Sequence, residues 1–356
     1  MGRDGAMSSA LNALPVHTLD MLTVEQLKQA WSRSEPIRFC DPYLSRVEYD
    51  QKKTFYPLGF PVNISTNSEL VIEAAAECWR SFEKAFDVEP ISLNVGVTAG
   101  NSHDCPPMPT CHMRNHLASN IADGENFVIA DYRCAISDIW VTSSTLEHRD
   151  YFRYIFLNSA VMGQLVNNYA WGIHAACVEL DGAGVLLCGD SGAGKSTLSF
   201  ACARAGWTYI TDDGSYLVDG RDDRLIVGDC SLVRFRPSSE SLFPELRGRP
   251  VMKRAEIGKP SIEYATASVP RFNTASISQI KHVVFLNRNV DQQELVPFPV
   301  EVAKLYMLQR ASSAPELRRR QARMFDRLLE GGAFELRYTD LDWAVERLSQ
   351  LVREGS

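Results

Sequence analysis

Residues 189–196 constrain this chain more than any other stretch: Gly189-Asp-Ser-Gly-Ala-Gly-Lys-Ser196, a glycine, four residues, then Gly194, Lys195 and Ser196. That spacing is the Walker A pattern of a phosphate-binding loop, a pattern short enough that its flanks must decide whether it is used. The flanks agree. Val185–Cys188 is an apolar run of the kind that forms a buried strand, and Ser196–Ala205 has helix-forming composition with Leu198, Cys202 and Ala205 on one face. Between them the glycines let the backbone turn tightly, so that successive N–H groups converge on phosphate oxygens at the positive end of the new helix. Gly189, Asp190, Ser191, Gly192, Ala193, Gly194, Lys195, Ser196 and Thr197 are therefore the candidate nucleotide-binding residues. Lys195 would reach the β- and γ-phosphates and the Ser196 hydroxyl would ligate Mg²⁺, so ATP and Mg²⁺ are the expected cofactors. The bland alternative is a glycine-rich turn with no ligand, which the strand and helix on either side make the weaker reading.

Neighbouring segments can be placed around the loop by geometry. Residues 174–180 alternate as a strand, Asp181–Gly184 reads as a hairpin turn, and Val185 starts the strand entering the loop. Antiparallel pairing across that turn sets His174 opposite Gly189 to Ser191, at the border of the phosphates. Trp207–Thr211 is the next strand; a strand–helix–strand crossover makes it parallel to Val185–Cys188 and leaves Asp212 and Asp213 at the same edge. Two adjacent carboxylates there can divide the work: one coordinates Mg²⁺, the other takes a proton from an attacking hydroxyl. Because neighbouring side chains on a strand diverge, Asp212 is assigned the base and Asp213 the metal. A turn in which the two side chains merely cap the backbone is the alternative.

The rest of the chain bounds these readings. Its net charge is -7, from 37 basic and 44 acidic residues, which leaves no positive excess for a nucleic-acid backbone. No apolar run approaches the roughly 18–20 residues that span a bilayer, and the N-terminus lacks the apolar core of a signal peptide, so a cytoplasmic protein without membrane partners is expected. The nine cysteines are odd in number and scattered, which fits reduced thiols better than a disulfide framework. His103, Cys105, Cys111, His112 and His116 cluster in one proline-rich segment. They suit zinc in kind but only half suit it in spacing, so a surface loop is the preferred reading.

The expected organisation is an arm over 1–34, a small N-terminal α/β domain over 35–147, and a mixed-sheet α/β domain over 148–356 that carries the loop. In the first domain Ser68 caps a helix bearing Val71, Ile72, Ala75, Trp79, Phe82 and Phe86, followed by strands at 91–97, 127–130 and 138–141. Later helices are expected at about 148–169, 195–205, 300–310, 315–329 and 341–352. Arg318, Arg319, Arg320 and Arg323 read as a solvated helix face rather than an anion site.

With these residues placed, residues 173–220 resemble the catalytic core of the HPr kinase/phosphorylase family: a histidine on the strand before the loop (His174), the loop itself, and the aspartate pair Asp212 and Asp213. The resemblance implies a phosphoenolpyruvate-carboxykinase-like fold and an ATP- and Mg²⁺-dependent kinase acting on a hydroxyl, with Lys195, His174 and Asp212 as catalytic residues. It also points to Glu245, within Pro244-Glu-Leu-Arg-Gly248, as a further metal ligand beside Ser196 and Asp213. Thr197 stands where that family has glutamate, and its proline- and glycine-rich arginine segment has no counterpart here. A serine of a protein or peptide is the first acceptor implied, and a small-molecule hydroxyl the second. The rival class is a nucleotide-binding regulatory module without turnover, which needs the loop but no proton acceptor. Assembly with a second copy of the chain is left open.

Overall fold

The computed structural model describes residues 23–33, 47–100, 102–252, 260–288, 292–309 and 315–354. Apart from helix α1 (Val24–Ser32), the expected N-terminal arm lies outside them. The described chain is an α/β protein built on two large mixed sheets.

The first sheet takes β1 (Gln51–Phe55), β2 (Val62–Thr66), β3 (Ile91–Thr98), β4 (Thr110–Arg114), β5 (Leu117–Ile121), β6 (Phe127–Asp131) and β7 (Ile136–Thr142), in the order β1-β2-β3-β7-β6-β5-β4. Helix α2 (Glu69–Trp79) packs Val71, Ala74, Ala75 and Trp79 against it. The helix stops short of Phe82 and Phe86, which were expected on its face. The N–H groups of Ala85 and Phe86 donate instead to the Gly59 carbonyl, at 2.9 and 3.1 Å, and that pulls the chain out of the helix. Phe86 still reaches the core, stacked on Phe60 at 4.2 Å between ring centroids.

The expected loop with the Cys/His cluster is largely a hairpin, β4 to β5, turning at Asn115 with φ +58°. Cys111 and His112, being consecutive on a strand, diverge. Among the described residues no group of three or more His, Cys, Asp and Glu side chains is placed to hold a metal ion.

After α3 (Ser143–Glu147) the chain forms a helical rod: α4 (Arg149–Tyr151), a π-helical stretch Phe152–Asn158, and α5 (Ser159–Asn168). Its Phe152, Phe156, Leu157, Val161 and Leu165 are buried in the first sheet's core. This core runs on past residue 147 into the second half, where Val218 and Val227 join it.

The second sheet begins with β8 (Ala170–Leu180) and β9 (Ala183–Cys188), joined through Asp181 (φ +51°) and Gly182 (φ +78°). Two consecutive positive φ values make the tight hairpin turn that matches strand twist. Helix α6 (Lys195–Arg204) follows, then β10 (Thr208–Thr211), β11 (Gly214–Val218), β12 (Leu225–Gly228), β13 (Leu232–Phe235), β14 (Val251–Met252), β15 (Ser261–Ala265), β16 (Asn273–Thr274), β17 (Ile277–Asn287), β18 (Glu294–Phe298), α7 (Val300–Leu308), α8 (Pro315–Leu328), β19 (Ala333–Arg337) and α9 (Leu341–Glu354). Strands β13, β14 and β15 form a small separate sheet; the others join the second large sheet.

β10 runs in the direction of β9, as the crossover argument requires, but the two are not neighbours. β8 lies between them, antiparallel to both. On β8, Ala176 and Val178 face α6 and α9, whereas Ala175 and Cys177 face the core under α7 and α8. His174 shares the first parity and so projects on the side of the phosphate loop. Among the described residues no helix is long and apolar enough to cross a membrane. Arg320, read as part of a wet face, instead ties α8 to the end of β11 through Asp219 and to the end of α5 through the carbonyls of Asn167 and Asn168.

Candidate phosphoryl-transfer site

The hairpin register pairs Ala175 with Cys188, which puts His174 level with Gly189 as the turn geometry predicts. On the other flank of β8, Gly214 pairs with His174, so the aspartates just before it arrive at the same level. Three separated pieces of chain, His174, the loop and the aspartate pair, thus meet midway along β8, where its partner strand changes from β9 to β11.

Gly194 is the N-cap of α6 with φ +100°, and a Cβ there would lie 2.7 Å from the Tyr338 hydroxyl. Only glycine fits both the torsion and the space. From the first turn of α6 Lys195 folds back, 6% exposed, and donates to the carbonyls of Gly189 (2.7 Å) and Asp190 (3.1 Å) and to His174 Nε2 (3.1 Å). His174 Nδ1 lies 2.8 Å from Asp213 Oδ1. These partners assign the tautomer: Nε2 accepts from the lysine and Nδ1 donates to the carboxylate. A hydrogen-bonded line therefore runs from Lys195 through His174 to Asp213.

The two aspartates differ sharply. Asp212 is 4% exposed, accepts from the Arg234 backbone N–H at 2.8 Å, and has the Ser196 side chain near enough to favour its ionised form. Burial pushes its pKa up to about 6, against the opposing pull of the Arg234 charge and hydrogen bonds. The Asp213 side chain is 55% exposed. Burial raises it too, but the His174 hydrogen bond and the charges of Lys195 and Arg234 win, holding it below the usual carboxylate range.

The side chains do diverge as the pleat argument requires, but it is Asp212, rather than Asp213, that meets Ser196. The cause is a register irregularity between Tyr209 and Thr211 where β10 pairs with β8, since a one-residue slip exchanges the faces of everything after it.

Glu245 is not brought to this site. It sits on a 3-10 turn and pairs with Arg204 Nη1 at 3.4 Å, in the last turn of α6, whereas Ser196 is in the first. The helix rise separates those turns by roughly 12 Å.

These groups open into a cavity of about 680 Å³, within the roughly 300–1,000 Å³ of small-molecule sites. Of the candidate loop residues Ser191, Gly192, Gly194, Lys195, Ser196 and Thr197 line it; Gly189 and Asp190 instead hold Lys195 through their carbonyls, and the Ala193 N–H donates to Asp190 O. The sequence reading missed three arginines in its wall: Arg234, Arg236 and Arg288. Arg234 is paired with Glu263 and close to Asp212, while Arg236 and Arg288 have no ion pair or hydrogen bond of their side chains among the described residues. A signal existed for two of them, because residues two apart at the end of a strand share a face.

Lys195 and the three arginines face Asp212 and Asp213, an excess of two positive charges. That balance suits a Mg·ATP complex, which carries about two negative charges. Ser196 and Asp212 in contact are also the kind of donor set Mg²⁺ takes, a hydroxyl and one carboxylate with phosphates completing the shell.

Fold and site together define an α/β protein with a glycine-rich loop of Walker A spacing, a histidine–aspartate pair at its mouth and a basic cavity in front. No protein-family profile matches the chain, and no curated protein matches it. Among solved structures it is similar to the Hpr(Ser) kinase/phosphatase from Coxiella burnetii, at 16% identity and a TM-score of 0.27, covering 52% of this chain and 99% of that one. At that score the likeness carries no argument about function.

Proposed function

We propose that this protein is a kinase that transfers the γ-phosphoryl group of Mg·ATP to a hydroxyl. The observation that carries the reading is the line Lys195–His174–Asp213 at the mouth of the loop. A nucleotide sensor needs the loop, but has no use for a half-exposed carboxylate oriented by a histidine. Mg·ATP would supply the phosphoryl group together with the cation that offsets its charge.

Lys195 exchanges one or more of its backbone acceptors for phosphate oxygens, and the N–H groups of the loop and first turn of α6 receive the rest. Ser196 and Asp212 are the residues that would hold the metal ion, which would offset phosphate charge. Asp213 takes the proton of the acceptor hydroxyl, since it is ionised and faces the open cavity, and His174 fixes its orientation. The roles of the two aspartates are thus the reverse of those expected from strand parity. Arg236 and Arg288 add charge where the transferring phosphoryl develops it. The acceptor implied by the sequence resemblance is a seryl hydroxyl of a protein or peptide.

Two measurements test this. Calorimetry should show Mg·ATP affinity lowered at least about tenfold in Lys195→Ala, because that lysine makes charge-assisted contacts to phosphate. Transfer from labelled ATP into cell extract should fall about 10²–10⁴-fold in Asp213→Asn with Mg·ATP affinity within about threefold of wild type. Equal ATP affinity in Lys195→Ala removes the loop assignment, and wild-type transfer by Asp213→Asn leaves the regulatory-module reading as the better one.

A further inference from the structure

Asp212, Asp213 and Arg234 belong to the walls of two cavities. Beyond the nucleotide cavity they also line a second one of about 200 Å³, at the junction of the two halves of the molecule. Its remaining walls come from elements that have no part in the loop. The first half contributes Leu58, Trp79 and Phe82, the helical rod contributes Asn158 and Met162, and the second sheet contributes Tyr216 and Asp229. Asp213 is therefore the group through which something held in this second cavity would meet the phosphoryl donor in the first.

Size and charge restrict what that something is. The volume falls below the roughly 300 Å³ at which drug-sized ligands begin to fit, so the occupant has few heavy atoms. Three carboxylates, Asp212, Asp213 and Asp229, face one cation, Arg234, which is already paired with Glu263 at 3.3 Å. Asp229 uses one oxygen to accept from the Ser231 N–H (3.0 Å) and hydroxyl (2.5 Å), and its other oxygen has no hydrogen bond among the described residues. The same cavity is lined by the aromatic side chains of Trp79, Phe82 and Tyr216, and Tyr216 is near enough to Asp229 to feel its charge. A carboxylate with a free oxygen in a cavity with aromatic walls is the chemistry that recognises an ammonium group and rejects an anion.

We propose that the second cavity is the acceptor site, and that the acceptor is a small amino alcohol whose ammonium group lies between Asp229 and the aromatic side chains while its hydroxyl reaches Asp213. The proposal rests on the kinase reading above and narrows its acceptor from a seryl polypeptide to a small cationic alcohol. In the transfer the alcohol oxygen bonds to the γ-phosphorus, the bond to the β–γ bridging oxygen breaks with its electron pair leaving on ADP, and the hydroxyl proton passes to the Asp213 carboxylate. The first half of the chain thereby acquires a role, since Leu58, Trp79 and Phe82 form the wall that selects the acceptor.

The test uses the full chain with Mg·ATP, ADP release as the rate and phosphorus NMR to identify the product. 2-Aminoethanol and choline are compared with ethylene glycol, which is neutral, and glycolate, which is anionic. The cationic alcohols should exceed ethylene glycol by at least about tenfold in kcat/KM, with glycolate lowest. Asp229→Asn should abolish the preference, and Phe82→Ala should raise KM for the cationic alcohols, both with wild-type Mg·ATP affinity by calorimetry, which also shows that they are folded. Neutral or anionic alcohols used as well as cationic ones overturn the proposal, as does an undiminished preference in Asp229→Asn. Label that enters a protein of the extract while no alcohol is accepted overturns this inference and leaves the kinase reading standing; label that enters nothing removes both.

Discussion

Asp212 offers the sharpest test of how the site is built, because its cost can be worked from its surroundings. Its carboxyl is buried, and its folded pKa of about 6 lies above the ordinary value of 3.8. The native state therefore binds this proton more tightly than the unfolded chain does, so the ionised group penalises folding wherever pH exceeds the folded value and ceases to do so as pH drops through the unfolded one. The gap between those two values corresponds to about 3 kcal/mol at pH 7–8, falling to roughly half of that at pH 5 and to a few tenths near pH 4. Asp212→Asn keeps an oxygen to accept the Arg234 N–H at that position and removes the charge. The variant is expected to resist urea better than wild type by about 1–3 kcal/mol at pH 8, with the advantage shrinking toward pH 4, while phosphoryl transfer is lost. Mg·ATP should narrow the gap, since the wild type alone offers the metal a carboxylate. Paired urea titrations at pH 8, 6 and 4 decide it. A variant less stable than wild type at pH 8, or one whose advantage is the same at pH 4, would refute the argument that the site holds a desolvated charge in readiness for a cation.

Two further outcomes follow from packing around the loop. Gly194→Ala combines a positive φ, worth about 1–2 kcal/mol, with a Cβ 2.7 Å from the Tyr338 hydroxyl, so both stability and Mg·ATP affinity should drop; adding Tyr338→Phe should recover part of the loss. Urea titration of the single and double variants checks this, and no recovery would place the strain elsewhere. Glu245→Gln should leave turnover and its Mg²⁺ dependence within about twofold of wild type and cost under about 1 kcal/mol, because the residue pairs with Arg204 at the far end of α6. A large rise in the Mg²⁺ concentration needed for activity would return Glu245 to the metal site.

Much of the architecture was legible in the sequence because it depends on contacts close together in the chain. The Walker pattern with its entering strand and helix, the Asp181–Gly182 turn, and the pairing of His174 with the start of the loop are set by local torsions and by the two-residue period of a strand. The late helices over 300–308, 315–328 and 341–354 follow from apolar spacing in the same way. Where a distant carbonyl competed for the backbone, local pattern failed: Gly59 draws the N–H groups of Ala85 and Phe86 away from continuing α2, and pairing with β5 draws Cys111 and His112 of the expected loop into strand β4.

Side-chain roles at the site needed the tertiary structure. Strand parity shows that Asp212 and Asp213 diverge, but only the slip in β10 against β8 decides which of them meets Ser196 and which meets His174. Arg234, Arg236 and Arg288 reach the cavity from β13 and from the end of β17, so no spacing within the loop announces them. Glu245 shows the converse, a motif with the right letters carried to the wrong end of a helix. Local sequence determines which backbone hydrogen bonds can form and hence the loop and its elements; which charges then share a cavity is decided by register and by packing between distant segments, where one residue of slip reverses a face.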